Sequence, residues 1–245
     1  MKLLKTLLVT MALSLSPQSF ATNYLPTTER PDTKSIADTK ERKRIFFEFM
    51  FPHAVNANID ILKTKAFVSK NNSMNERMVG ICDKYRVDCT SVDYKEQLLA
   101  KVDWVLPSQI LAQGAIESSW GRSRFSKEAN NFFGQWCFTK GCGIKPKARP
   151  DGMSYWVQSF STTSESVRSF ALNLNRHEAY SEYRELRLLT DNPSDWVDGL
   201  SAYAQNPDNI TLIKDIIRQN DLREYDADFI EIVSSTKYSQ ILVVK

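Results

Sequence analysis

An α+β fold, mostly helical with one short β insertion, is the expectation for this chain, and three features carry it. Apolar residues recur at helical spacing from Phe46 to Ala115 and again from Val167 to Ile217. Between them, glycine and proline punctuate a turn-rich stretch from Gly134 to Gly152, which ends in a strand-like alternation. Helices on both sides of a short β stretch place this chain in the α+β class. With 245 residues, 42% of them hydrophobic and 25% charged, it can build one or two domains with a sizeable core.

The chain opens with Lys2 and Lys5 before a mostly apolar run from Leu3 to Leu15, and Ser19-Phe20-Ala21 has small residues where a signal peptidase reads. The run is short for a bilayer span, so a cleaved signal peptide is expected, with an uncleaved anchor as the alternative. No Cys follows it, which argues against a lipoprotein. Cleavage lowers the formal charge from +3 to +1, two of 32 basic residues being lost against 29 acids. That balance gives no strong pull toward nucleic acid.

Polar residues with Pro26 and Pro31 read as a linker. Phe46, Phe49 and Met50 then set a helical period that breaks at Pro52 and resumes with Val55, Ile59, Leu62 and Ala66. Two helices are expected here, as a hairpin or packed on the later domain. Core packing is the expected use of their Phe-rich face, and contact with a membrane surface or a partner protein is the alternative. Ser73 with Glu76 reads as a capping box, and Asp93 as the cap of the next helix. Pro107 suits a helix's first turn. The helix that follows carries Leu111, Gly114 and Ala115 and ends at Glu117, followed by Trp120 and Gly121.

Met153, Tyr155 and Val157 alternate with Trp156 and Gln158 as in a strand. Thr162 with Glu165 is another capping box, opening a helix through Val167, Phe170 and Leu174. Pro193 starts a helix with Trp196, Leu200 and Tyr203 on one face, and Ile210, Ile213 and Ile217 mark the last. The tail from Tyr225 to Lys245, ending Ile241-Leu242-Val243-Val244, reads as a short strand or a frayed end.

Cys82, Cys89, Cys137 and Cys142 fall in two close pairs. In an oxidising compartment that spacing favours local disulfides, and neither pair has the C-x-x-C spacing of a zinc site. His53 and His177 are too few for a metal site, so no metal and no cofactor is expected.

A carboxyl at Glu117 would be poorly solvated if Ile116, Trp120, Phe132 and Phe133 fold around it, which is the condition a general acid needs near neutral pH. The strings AIESSWG (115–121), ANNFFG (129–134) and AYAQNP (202–207) in this order resemble the glucosaminidase domain of bacterial peptidoglycan hydrolases, glycoside hydrolase family 73, and within it the Bax-like proteins. The resemblance covers about half the chain and implies a lysozyme-like form of the α+β fold. With the readings above, it divides the chain into a signal peptide (1–21), a linker (22–40), a helical N-terminal extension (41–90), a glucosaminidase domain (91–224) and a C-terminal tail (225–245).

The same resemblance implies an endo-β-N-acetylglucosaminidase, periplasmic or secreted, acting on peptidoglycan glycan strands, with Glu117 as catalytic acid and Tyr203 across the cleft. Asn130 and Asn131 are candidate sugar ligands or turn holders. Phe133 belongs to the Asn-Phe-Gly opening of the β-lobe. Trp136, Tyr155 and Trp156 offer flat faces for sugar rings, and Tyr180 matches a position near the cleft. A second catalytic acid is missing from the expected place: between Gly134 and Phe160 the only acid is Asp151, in a turn between Pro150 and Gly152, and Glu165 belongs to a capping box. The substrate's own 2-acetamido oxygen is the expected substitute. A muramidase or lytic transglycosylase, or a non-catalytic wall-binding scaffold, are the competing readings.

Overall fold

The computed structural model describes residues 25–190, 192–201 and 208–241. The expected signal peptide, Tyr203 with the rest of AYAQNP, and Leu242 to Lys245 lie outside the described residues. The α+β class is as expected, with helices before and after a small antiparallel sheet in the chain.

Helix α1 (Thr39–Lys70) starts at Asp38, whose carboxylate accepts the Glu41 N–H at 2.9 Å. It continues through Pro52, where two helices were expected. A proline inside a helix costs about 3 kcal/mol. Against that, Phe46, Phe47, Met50 and Phe51 before it and Leu62 after it are all buried, each contributing about 2 kcal/mol. Packing therefore outweighs the missing N–H. The same burial corrects the alternative use of the Phe-rich face: these phenylalanines are core and offer no free apolar surface to a membrane or a partner. Asn58 fixes the helix to the segment before Pro107, donating to the Val105 carbonyl at 2.7 Å and accepting the Val105 N–H at 2.9 Å.

Helix α2 (Glu76–Tyr85) is capped by Asn75, which accepts the Met78 N–H at 3.0 Å, and not by the expected Ser73. The Cys82–Cys89 disulfide follows, as its spacing suggested. Helix α3 (Tyr94–Lys101) leads to α4 (Pro107–Glu117), where Ile110, Leu111, Ala112 and Ala115 are fully buried. Leu106, at the N-cap of α4, has no side chain able to accept. Asp226 does this from a distance, taking the Ser108 N–H at 2.8 Å and its hydroxyl at 2.7 Å while Arg223 holds the carboxylate at 3.0 Å. A buried carboxylate at a helix N-terminus satisfies a stranded donor and complements the dipole.

After α5 (Arg124–Ala129) come β1 (Trp136–Cys137), β2 (Gly143–Ile144) and β3 (Trp156–Gln158), in the order β1-β3-β2. Trp136 pairs with Val157 and Ile144 does so on the other side. The Cys137–Cys142 disulfide closes the β1–β2 turn, the second expected pair. Gly143 is obligatory there, because a Cβ would lie 1.9 Å from the Val157 carbonyl oxygen.

Helix α6 (Thr163–Arg176) has the expected capping box: Thr162 accepts the Glu165 N–H at 3.2 Å, and Glu165 accepts the Ser161 N–H at 2.9 Å. Helices α7 (Ser181–Leu189), α8 (Pro193–Trp196), α9 (Asp208–Gln219) and α10 (Arg223–Ser234) complete the fold. The last corrects the expected tail: Phe229, Ile232 and Val233 are buried, and Asp226 makes the clamp on α4. Its apolar period is diluted by Glu224, Asp226, Asp228 and Glu231, which hid it in the sequence. One apolar cluster runs from Phe46 to Val233, so α1 and α10 share the core of the residues between them.

His53 is buried in α1 with Nδ1 2.7 Å from the Ser164 hydroxyl. Burial, with Arg168 adding to it, lowers its pKa to about 4. The folded state thus holds it neutral. Its contribution is complete above the unfolded pKa near 6.5 and is lost as pH falls toward 4, a loss of about 3 kcal/mol. Denaturant unfolding at pH 7 and pH 4 should therefore show a smaller acid destabilisation in His53→Gln than in the unsubstituted protein. Equal pH dependence would contradict the assignment.

Candidate active site

Glu117 is the last residue of α4, and the turn after it sets its direction. Ser118 donates its hydroxyl to the Gly114 carbonyl at 2.5 Å and accepts the Gly121 N–H at 2.7 Å. Ser119, Trp120 and Gly121 then take φ of 50°, 61° and 73°, three successive left-handed residues. For the two that are not glycine this costs about 1–2 kcal/mol each. The Trp120 ring offsets it, packing edge-on against Phe46 at 5.7 Å and Phe47 at 5.4 Å with the Lys43 ammonium 5.2 Å from its centre. In the string Glu-Ser-Ser-Trp-Gly the tryptophan anchors the turn, the glycine permits it, and the glutamate is held at the helix end.

Glu117 is exposed, as a group meeting a substrate must be. Packed atoms nevertheless desolvate its carboxyl and raise its pKa above the ordinary carboxylate value. The C-terminal end of a helix disfavours negative charge in the same direction. The last turn of α4 carries no basic residue, and Glu117 is in no ion pair among the described residues. Gly134, at φ 66°, faces it: a Cβ built there would lie 3.6 Å from Glu117 Oε2. Gly134→Ala should fold about 1 kcal/mol less stably, from the left-handed backbone. Its methyl should desolvate the carboxyl further and move the alkaline limb of the kcat/KM profile to higher pH. An unmoved limb would separate Gly134 from the acid.

The other expected site residues divide. Asn131 is buried, donates to the Gln135 and Gln158 carbonyls at 2.9 Å each, and accepts the Phe133 and Gln135 N–H groups at 3.2 Å each. Both amide hydrogens and both lone pairs are used, so Asn131 is corrected from sugar ligand to holder of the turn that presents Gly134. Asn130, left-handed at φ 51°, donates to the Phe160 and Ser161 carbonyls at 3.0 and 3.1 Å, tying the end of α5 to the start of α6. Phe133 is buried and stacks on Phe170 at 4.1 Å, with its ring against Gly114 of α4; it supports α4 from beneath and is not a platform for sugar.

Trp136 is 56% exposed and stacks on Tyr155 at 4.5 Å. Trp156 is half-buried, with the Arg149 guanidinium 5.0 Å from its ring. In the strand register Trp136 shares a face with Val157, and Trp156 shares the other with Cys137, so the two tryptophans do not form one platform. Tyr180 is buried, 5.9 Å from the His177 ring, with its pKa raised by burial. Asp151 is exposed in its turn, and Glu165 is engaged in the cap described above. Gly134 stands outside the expected site residues, and its clue in the sequence is its place as the glycine closing ANNFFG. No group of His, Cys, Asp and Glu among the described residues could hold a metal ion.

A family model described as "Glucosaminidase: Mannosyl-glycoprotein endo-beta-N-acetylglucosaminidase" matches residues 92–222, more than half of the chain. The chain belongs to this glucosaminidase family. Among its relatives, Protein bax of Escherichia coli K12 is 27% identical over 182 residues, covering 70% of this chain and 65% of that protein. Exo-glucosaminidase LytG of Bacillus subtilis 168 is 29% identical over 153 residues, covering 59% and 54%. The chain thus spans less than two thirds of either relative's length. The catalytic domain of the autolysin Auto from Listeria monocytogenes overlays with a TM-score of 0.47 at 20% identity, over 78% of this chain and 92% of that one. The family-matched residues contain Glu117, Gly134 and the whole sheet, while α1, which anchors Trp120, lies outside them.

Proposed function

We propose that this glucosaminidase is an exported endo-β-N-acetylglucosaminidase that cuts the glycan strands of peptidoglycan after N-acetylglucosamine, with Glu117 as general acid. The observation carrying the reading is the place of the Glu117 carboxyl, at the end of α4, in no ion pair among the described residues and facing Gly134 within the family-matched residues. Peptidoglycan as substrate is supported by the resemblance of the three sequence strings and by the family match. Export is supported by the pattern of residues 1–21 and by two disulfides, which persist in oxidising compartments. No helix among the described residues is long and apolar enough to cross a membrane.

In this reading the Glu117 proton passes to the leaving glycosidic oxygen as its bond to the anomeric carbon breaks. The 2-acetamido oxygen of the same sugar forms the new bond to that carbon, giving a cyclic oxazolinium. Water then opens it, returning a proton to Glu117. This supplies the second catalytic role without a second acid. Tyr203, outside the described residues, is proposed to orient the acetamide, on the strength of its sequence string alone.

Mass analysis of digested cell wall tests the bond cut. Reducing N-acetylglucosamine ends are expected. Reducing N-acetylmuramic acid would mark a muramidase, and anhydro ends a lytic transglycosylase. Endo action should give a spread of fragment lengths, whereas release of single terminal units would indicate exo action, as the name of LytG states for that relative. NMR of the first-formed anomer should show retention, and inversion would eliminate the acetamide route.

A further inference from the structure

Beside the catalytic turn the surface has a concavity of about 340 Å³ lined by Lys34, Ser119, Arg122, Ser123 and Lys127. We propose that it is a subsite for the free carboxylates of the peptide stems carried by the glycan strand. The proposal rests on the peptidoglycan reading above and names a part of the substrate that reading leaves unassigned.

Position is the first support. Ser119 is the second residue after Glu117, so the concavity begins within about 7 Å of backbone from the acid. When a bond after N-acetylglucosamine is cut, the neighbouring sugar is N-acetylmuramic acid, whose lactyl group carries the peptide. The stem thus hangs one sugar away from the proton donor, within reach of a pocket at this place.

Charge is the second. Lys34, Arg122 and Lys127 are all exposed, and none is in an ion pair among the described residues. No acid among the described residues lines the hollow, and the acids near it have other contacts: Asp32 accepts the Lys34 backbone N–H, and Glu128 lies 3.9 Å from Arg124. Sugar hydroxyls are neutral and give no reason for three cations around one hollow, whereas carboxylates do. With the whole chain at a formal +3, the charge is a local feature.

The walls are also held in place. The segment bearing Lys34 lies in the expected linker, yet Arg30 ties it to α5 through the Ser126 carbonyl and, at 2.7 Å, the Lys127 carbonyl, and Thr33 is buried. Arg122 donates Nε to the Ser119 carbonyl at 3.1 Å, which fixes the guanidinium and leaves its terminal nitrogens for a ligand. A preformed fork of this kind is suited to a carboxylate.

Binding of soluble, uncrosslinked glycan strands to the full-length Glu117→Gln protein tests the subsite without turnover. The strands are used with their peptides and after an amidase has removed them. The Glu117→Gln protein should prefer peptide-bearing strands about tenfold, a preference that weakens between 50 and 300 mM salt. Adding Lys34→Gln, Arg122→Gln and Lys127→Gln should bring the ratio of the two affinities close to one. The same ratio in both proteins would overturn the subsite. Failure of the unsubstituted protein to cleave either strand would overturn the glucosaminidase reading instead, and the binding ratio would still decide the subsite.

Discussion

Glu117→Gln is expected to lower kcat/KM on glycan strands by on the order of 10³-fold while leaving the fold intact, since a positioned general acid contributes about 10²–10⁴. Glutamine keeps the shape of the side chain and adds no charge. The carboxyl makes no ion pair among the described residues that its loss would break. Thermal unfolding should therefore be unchanged within the error of the melt, and strand binding should persist. Cell-wall release by purified protein, with binding measured separately, checks this. Unchanged release would remove Glu117 from the chemistry and favour a wall-binding scaffold.

Asn131→Ala should destabilise the protein by about 3 kcal/mol, or roughly 10 °C in Tm for a chain of this size. The substitution strips two backbone N–H groups and two carbonyls of their side-chain partner in a buried turn. It should also lower activity at temperatures well below the melt, because the same turn presents Gly134 to Glu117. A calorimetric scan paired with a rate measurement tests both halves. An unchanged Tm with weakened sugar affinity would restore the role of sugar ligand that the structure takes from this residue.

The fold was readable in the sequence wherever a local rule and tertiary packing agree. Pro107 opens α4, Thr162 and Glu165 cap α6, and both cysteine pairs close as their spacing suggested. Reading failed where packing overrides a local rule. Pro52 is a breaker by propensity, but the phenylalanines around it are buried, and no periodicity count registers that sum. Likewise Asp226 reads as a break in an apolar pattern, and only the fold reveals that it caps α4 from more than a hundred residues away. At the candidate site, Glu117 stands out in the sequence because helix period, exit turn and family string coincide on it, and the structure places it at the end of α4. Asn131 and Phe133 share the next string, but the direction of a side chain leaving a turn depends on backbone torsions that a motif does not encode. One became a clamp and the other a support beneath α4. The cationic hollow was invisible because Lys34, Arg122 and Lys127 come from different segments, the first of them read as linker.

The central claim is that desolvation holds the Glu117 carboxyl protonated at a higher pH than an ordinary glutamate. Titration of side-chain carboxyl carbons by NMR, with the Glu117 resonance assigned from its absence in Glu117→Gln, measures this directly. The account predicts a midpoint above the ordinary glutamate value, matched by the alkaline limb of the kcat/KM profile. A midpoint at or below that value would contradict it.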